Sequence, residues 1–340
     1  MNDVAAVRPR TRCAYVGAFI GDSVGDPLSG SDCAPRISVA VSTYRRPDGL
    51  ARLLEALRPQ IEGRPARELV VINDGSHDAK YEAAIKPFAS LVSYHPLPQN
   101  VGIARARNES AARAHGDYIV FTDDDCVPPP FWLDWLEARL DANPEIDVLI
   151  GTTRPNLPER PRFFERVNGH YDLIPQPVGE ASVPLFVTAN VAIRRALFER
   201  LGGFGFGPEF PGAGEDTELA SRLAAAGSRT VVDRNWYVRH DVSDGLVRQM
   251  RRYWRYGYSN VWMCRLTTAP PHHMKMAIAR RAGHVAHGLG LMKENLEMSV
   301  GFSTWTLLRW YSAAAASLVL MAYYDGCAAA AAERRRELRI

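Results

Sequence analysis

The sequence has little of what marks several large classes of protein. It contains five cysteines in 340 residues, without CxxC spacing, and an odd count fits a reduced compartment better than a disulfide framework. Its net charge of +3 is small for this length, so no overall attraction to nucleic acid is indicated. The composition, 46% hydrophobic and 23% charged, is ordinary for a globular protein. These features predict a cytoplasmic address.

Long hydrophobic runs are missing as well. The most apolar stretch, residues 312–324, follows Arg309 closely and is ended by Asp325, well short of the roughly 20 residues that span a bilayer. We interpret it as a buried or interfacial helix, which leaves peripheral contact with the inner face of a membrane open. Residues 1–35 carry arginines before a short, broken apolar run, which indicates a flexible N-terminal arm and not a signal peptide.

Between residues 37 and 121 apolar runs alternate with helical periodicity. Strands are predicted at 37–41, 69–72, 91–94 and 118–121, with helices between them. This alternation predicts an α/β fold with a mainly parallel sheet. Further along we expect proline-rich loops at 155–161 and 175–184, a strand at 186–193, helices at 131–140, 194–201 and from Glu215, and a strand-like segment at 236–238. The domain interpretation is an arm (1–35), an α/β catalytic domain (36–242) and a helical C-terminal extension (243–340).

Polar residues follow three of the predicted strands. Tyr44 and Arg45 come after the first, Asp74 after the second, and Asp123–Asp125 after the fourth. The carboxyl ends of parallel strands meet at one edge of a sheet, and ligands bind outside that edge. These clusters are therefore expected to converge on one crevice.

Three consecutive carboxylates repel one another unless a cation or donor groups offset their charge. Oxygen ligation favours Mg²⁺ or Mn²⁺, which commonly bridge carboxylates to substrate phosphates. The alternative is a solvated acidic turn that caps the following helix. Its position at a strand end favours the metal interpretation, and His240, after an apolar segment, is a candidate third ligand or a structural histidine.

A second acidic cluster opens a predicted helix at Glu215 and Asp216, after Gly214. Acids in a first turn are expected from the helix dipole alone. A carboxylate at such a position beside a substrate could also act as a general base toward an acceptor hydroxyl. Both interpretations stay open at this point.

Arginines and aromatic residues interleave from Arg248 to Tyr258 on a predicted helix. Three interpretations compete: a solvated face, a clamp for pyrophosphate or acceptor, and a surface that touches anionic lipid. The pattern is confined to this segment, which disfavours a nucleic-acid groove.

Five ordered motifs in residues 36–240 resemble those of the family 2 glycosyltransferases, which are inverting enzymes of the GT-A fold. They are the opening strand through Thr43-Tyr44-Arg45-Arg46-Pro47, the second-strand motif Val71–Ser76, the Asn100–Asn108 segment, the DxD-like Asp123-Asp124-Asp125, and the ED-like Gly214-Glu215-Asp216.

The resemblance implies a role for individual residues. Donor binding falls to residues at the strand ends and on the third helix: Thr43, Tyr44, Arg45, Asn73, Asp74, Gly102, Arg107, Asp123, Asp124 and Asn190. The metal, Mn²⁺ or Mg²⁺, is assigned to Asp125, Asp123 and His240. Asp216 is the implied catalytic base with Glu215 beside it, and Gln249, Arg252 and Tyr253, similar to a QxxRW element, are implied acceptor or phosphate contacts.

The implied partners are a UDP-, GDP- or TDP-linked sugar and a glycan, lipid-linked or small-molecule acceptor, without nucleic acid. Asn73 stands where the family motif usually has an acid, so the nucleotide base stays open, and Tyr253 replaces the tryptophan of QxxRW. A nucleotidyltransferase is a rival, but the turn after the first strand has none of the glycines expected there. A binding module without turnover is the other rival, and the joint presence of Asp125, Glu215 and Asp216 argues against it.

Overall fold

The computed structural model describes residues 35–156, 186–205, 213–241 and 246–263, together with 325, 326 and 329. Its strands are β1 (Ile37–Thr43), β2 (Arg67–Asn73), β3 (Val92–Pro96), β4 (Tyr118–Asp123), β5 (Cys126–Val127), β6 (Val148–Asn156), β7 (Val191–Arg194) and β8 (Thr230–Asp241). Its helices are α1 (Pro47–Ile61), α2 (Lys80–Ile85), α3 (Ile103–Ala112), α4 (Trp132–Ala142), α5 (Arg195–Arg200), α6 (Glu215–Ala225) and α7 (Leu246–Met263), with 3₁₀ turns at Lys86–Phe88 and Thr188–Asn190.

These strands form one sheet in the order β3-β2-β1-β4-β7-β6-β8-β5. The pairs from β3 to β4 are parallel, as the β-α alternation predicts. Strand β7 is antiparallel to both of its neighbours, β8 is parallel to β6, and β5 is antiparallel to β8. The sheet is therefore parallel on one side and mixed on the other.

Strand β1 lies near the centre of the parallel side, and all seven of its residues are buried. Helix α1 covers one face of it with a stripe of leucines at helical spacing, Leu50, Leu53, Leu54 and Leu57. Each such side chain contributes about 1.5–3 kcal/mol when it leaves water. This packing fixes the end of β1, and with it the turn that leads into the site.

Gly49 allows α1 to approach the acidic turn after β4. A Cβ at this position would lie 2.5 Å from the carbonyl oxygen of Asp124, closer than such atoms come in proteins. A glycine therefore lets the helix and the turn meet backbone to backbone.

The later strands differ most from the sequence expectations. The strand expected at 186–193 is wrong in its first half, because Thr188–Asn190 is a 3₁₀ turn and only Val191–Arg194 pairs with β4 and β6. Strand β6 runs to Asn156, into residues expected to be loop, and β8 is twelve residues long. The two strands pair at 148–150 with 230–232 and, after a register shift, at 152–156 with 237–241; this cross-strand hydrogen bonding outweighs the low strand propensity of Pro155 and Asn156.

Helix α7 begins at Leu246, close to the expected start of a helical extension. None of the helices within the described residues is long and apolar enough to cross a bilayer. The expected N-terminal arm (bar residue 35), the loop at 175–184 and the apolar helix at 312–324 lie outside the described residues.

Candidate active site

The site is built around the acidic turn Asp123–Asp125, between β4 and β5. Register places Ser42 of β1 beside Asp123, so the turn lies next to the end of the first strand. On the other side Cys126 pairs with His240 of β8, and the amide of Asp241 donates to the carbonyl of Asp125 at 2.8 Å. Residues more than a hundred positions apart thus meet at the turn.

Asp123 is held by a buried arginine. The Arg107 guanidinium, on α3, donates to Asp123 Oδ1 at 2.7 Å and to Glu215 Oε1 at 2.5 Å. Burial by itself would raise the pKa of Asp123, but Arg107 outweighs it and holds that pKa below its usual value. Burial by itself would lower the pKa of the Arg107 guanidinium, but the charges of Asp123 and Glu215 outweigh it and raise that pKa above its usual value. Arg107 therefore joins the acidic turn to the start of α6.

Asp124 faces the first strand. The Thr43 hydroxyl donates to Asp124 Oδ2 at 2.7 Å, and the same hydroxyl lies 2.8 Å from Tyr81 Oη. Burial and the charge of Asp125 raise the pKa of Asp124 to about 7. The Arg46 amide donates to Tyr81 Oη at 2.9 Å, so one tyrosine fixes both the strand end and the turn after it.

Asp125 has the features of a metal ligand. Its Oδ1 is buried and accepts no hydrogen bond from the described residues, and His240 Nε2 lies 3.3 Å from it. The Arg46 guanidinium contacts Oδ2. Cys126 completes a group of three side chains within 4.8 Å, but burial raises the pKa of its thiol well above the ordinary value, which keeps it neutral. The Asp125 carboxylate offers the oxygen ligand that Mn²⁺ and Mg²⁺ prefer, and the His240 imidazole offers a nitrogen ligand beside it.

The second acidic cluster lies at the first turn of α6. Gly214 precedes the helix with φ +92°, a conformation that favours glycine, and Glu215 and Asp216 follow. Burial and the charge of Glu215 raise the pKa of Asp216 to about 7, although Arg107 and the Thr217 amide act in the opposite direction. A half-buried carboxylate with such a pKa can take a proton near neutral pH.

The residues expected at the nucleotide differ in what they offer. Tyr44 is 38% exposed, and the Arg45 guanidinium lies 4.9 Å from the centre of its ring. Arg45 has φ +56°, a strained value for a residue other than glycine, and its amide donates to Ser76 Oγ at 2.8 Å. This pair presents an aromatic face and a cation at the end of β1.

Asn73 and Asp74 are engaged within the protein. The Asn73 amide group donates to Tyr94 Oη at 2.8 Å and to the carbonyl of Ser76 at 2.9 Å. Asp74 accepts hydrogen bonds from the amides of Val101 and Gly102, at 2.7 Å and 3.2 Å. Gly102 has φ +88° and precedes α3. Asp74 thus positions the start of the helix that carries Arg107.

Asn190 occupies a place that the sequence did not suggest. Its side chain is fully buried, donates to the carbonyls of Thr152 and Trp236 at 3.0 Å each, and accepts from Trp132 Nε1 at 3.0 Å. The side chain ties the 3₁₀ turn to β6, β8 and α4. Its assignment to the donor stays a prediction.

Helix α7 brings Tyr256 near Asp216 and Glu215. Burial raises the pKa of Tyr256 to about 12, with Asp216 and Glu215 acting in the same direction and Arg252 in the opposite one, although 42% of the residue is exposed. The Tyr253 and Tyr256 rings lie 5.6 Å apart. The side chain of Gln249 lies outside the described part of the chain.

Sequence reasoning did not single out Arg46, Tyr81 or Tyr256. Arg46 was visible as a cation next to a predicted strand end, and Tyr256 as part of the arginine-aromatic pattern. Tyr81 gave no signal, because a tyrosine on an amphipathic helix is usually a core residue.

Known glycosyltransferases are similar to this chain in sequence and in fold. Residues 38–202 match the family described as glycosyl transferase family 2. The glycosyltransferase AglE of Haloferax volcanii is 24% identical over 57% of this chain and 62% of its own length. The validoxylamine A glucosyltransferase of Streptomyces hygroscopicus is 26% identical over 61% of this chain and 52% of its own length. The chain therefore spans about half to three fifths of these relatives.

Two solved structures share the fold. The mannosyltransferase PcManGT of Pyrobaculum calidifontis, solved with GDP-Man and Mn²⁺, superposes with a TM-score of 0.56 at 22% identity, over 84% of this chain and 87% of that one. TarS 1-349 of S. aureus, solved with UDP, gives 0.50 at 18% identity, over 89% and 92%. The fold is of the GT-A type.

Proposed function

Because residues 38–202 of this chain match glycosyl transferase family 2, we propose that it moves a sugar from a nucleotide-sugar donor to an acceptor hydroxyl. The proposed reaction inverts the configuration of the anomeric carbon. The acceptor hydroxyl attacks that carbon, the bond from carbon to the diphosphate oxygen breaks, and the hydroxyl proton passes to a base.

The observation that carries the proposal is the link that Arg107 makes between the two acidic clusters. It contacts Asp123 at 2.7 Å and Glu215 at 2.5 Å, and Asp216 is the residue next to Glu215. A donor held at the turn would therefore have a carboxylate on the acceptor side of its sugar. The raised pKa of Asp216, about 7, suits a general base at neutral pH.

Asp125 and His240 are the residues that would hold a divalent cation, with the buried Asp125 Oδ1 as the oxygen ligand. When bound, such a cation neutralises the charge that develops on the departing diphosphate. Asp123 is a weaker candidate ligand, because Asp123 Oδ1 already accepts a hydrogen bond from Arg107.

The nucleotide is proposed to lie over the ends of β1 and β2. The half-exposed Tyr44 ring can stack on a base, and Arg45 lies beside it. Similar proteins have been solved with GDP-Man and with UDP, so guanine and uracil are both candidates for the base. Thymine is the third candidate, from the TDP-linked donors that the family resemblance implies. A glycan, a lipid-linked sugar or a small molecule could supply the acceptor hydroxyl.

Calorimetric titration with UDP, GDP and TDP, each with and without Mn²⁺, tests the donor site. We expect one nucleotide to bind in a metal-dependent manner, and Asp125→Asn to weaken that binding by at least about tenfold. The matched control is Asp117→Asn, which should bind the nucleotide as the wild type does. Asp117 is an exposed carboxylate just before β4, at the opposite end of that strand from Asp123. Absence of binding for all three nucleotides would contradict the proposal.

A further inference from the structure

Arg46 lies between the proposed nucleotide site, at Tyr44 and Arg45, and the proposed metal ligands. Its guanidinium contacts Asp125 Oδ2 and lies 3.7 Å from Asp124 Oδ1. Its backbone amide is fixed by Tyr81, at 2.9 Å. The backbone is thus anchored, while the charged end lies against two of the three carboxylates of the turn.

The burial of the two sides of this ion pair is unequal. The Arg46 side chain is 41% exposed, whereas the side chains of Asp124 and Asp125 are 9% and 13% exposed. The guanidinium is therefore much closer to water than the two carboxylates that it contacts. Arg107 is the opposite case, since its side chain is 8% exposed and bridges two acids.

Arg46 and a divalent cation would share one carboxylate. The cation is expected at Asp125 with His240, and Arg46 is on the other oxygen of the same group. Positive charges so close together repel strongly in a partly buried site. Binding of the one therefore disfavours the other.

We propose that Arg46 is an exchangeable counter-ion of the acidic turn, which competes with the divalent cation and is released when the cation binds. The proposal rests on the proposed function for the identity of the metal ligands. Release places a guanidinium beside a donor diphosphate, which it can bind in a bidentate manner. Cation and donor then strengthen each other's binding, as reciprocal linkage requires.

Titration of the full chain with Mn²⁺ in the absence of nucleotide, followed by the electron paramagnetic resonance of free Mn²⁺, tests the competition. We expect Arg46→Gln to bind Mn²⁺ about fivefold more tightly than the wild type. The matched control is Arg52→Gln. It also removes one positive charge, but Arg52 lies on α1 and contacts Asp241, not Asp124 or Asp125. It should change Mn²⁺ affinity by less than about twofold.

Equal or weaker Mn²⁺ binding by Arg46→Gln, with thermal unfolding like the wild type, overturns the proposal, and so does an equal gain in Arg52→Gln. Arg46→Lys is a second variant in case the glutamine protein does not fold. It retains the charge but loses the planar guanidinium, so its Mn²⁺ affinity should fall between those of the wild type and Arg46→Gln.

Repeating the titration with the nucleoside diphosphate that binds should raise Mn²⁺ affinity more in the wild type than in Arg46→Gln, and an equal rise contradicts the coupling. Failure of every nucleotide to bind would count against the proposed function, whereas the titration with Mn²⁺ alone judges the competition by itself.

Discussion

The two sides of the sheet reach the site in different ways. On the side from β3 to β4, each strand ends at the crevice and delivers its polar residues there directly, as Thr43 and Asp123 show. On the side from β7 to β5, the strands run in both directions, and the proposed catalytic and metal-binding residues lie at the start of α6 and at His240. Arg107 is a side-chain link between the two.

This difference parallels the proposed division between donor binding and catalysis. The residues of the parallel side are mostly satisfied within the protein: Asp74 by the amides before α3, and Asp124 by Thr43. This arrangement suits the proposed donor site. On the other side, the pKa of Asp216 is raised to about 7, which suits the proposed general base.

The largest effect is expected from Asp216→Asn, which should separate the two sides cleanly. The amide cannot accept the acceptor proton, so transfer should fall by about 10²–10⁴-fold while nucleotide affinity stays within about twofold. Turnover of donor and calorimetric binding of nucleotide are the two measurements. Transfer at the wild-type rate would mean that another base operates.

Arg107→Lys should break the link between the sides. A lysine offers a single compact charge and cannot hold Asp123 and Glu215 together, so the geometry at Asp216 loosens and the turnover rate should fall by about 100-fold. The free energy of unfolding, measured in urea, should fall by about 3 kcal/mol, because a buried bridge is broken.

Arg113→Lys is the matched control, since Arg113 pairs with Glu109 on the surface just after α3. Rate and stability should change little there. Lost stability with an unchanged rate in Arg107→Lys would show that the bridge serves the fold alone.

The smallest effect concerns pH and sharpens the same distinction. Asp216 must be unprotonated to act, and its pKa is about 7, so the turnover rate should fall about tenfold per pH unit below that value and level off above it. Asp124 has a pKa of about 7 as well, on the donor side. Following nucleotide binding over the same pH range tells the two apart. Binding that falls together with the rate would place the titration on Asp124, and a flat rate would exclude both.

Sequence patterns were most informative where the structure is locally determined. The four parallel strands and the helices between them follow from apolar runs, Pro47 and the leucine stripe of α1, and all are present. The mixed side was anticipated less well. Thr188–Asn190 forms a 3₁₀ turn where a strand was expected, and β6 continues through Arg154 and Pro155 because β8 lies beside it.

The same contrast holds within the site. By itself the sequence determined the acidic turn, the ED-like helix start and the family they resemble, because these depend on residues close together in the chain. Only the tertiary structure decided that Asn190 is a core residue, that Arg107 joins Asp123 to Glu215, and that Arg46 lies on Asp125. Such contacts join residues many positions apart, and they are set by the burial of charge and the pairing of strands, which no local pattern records.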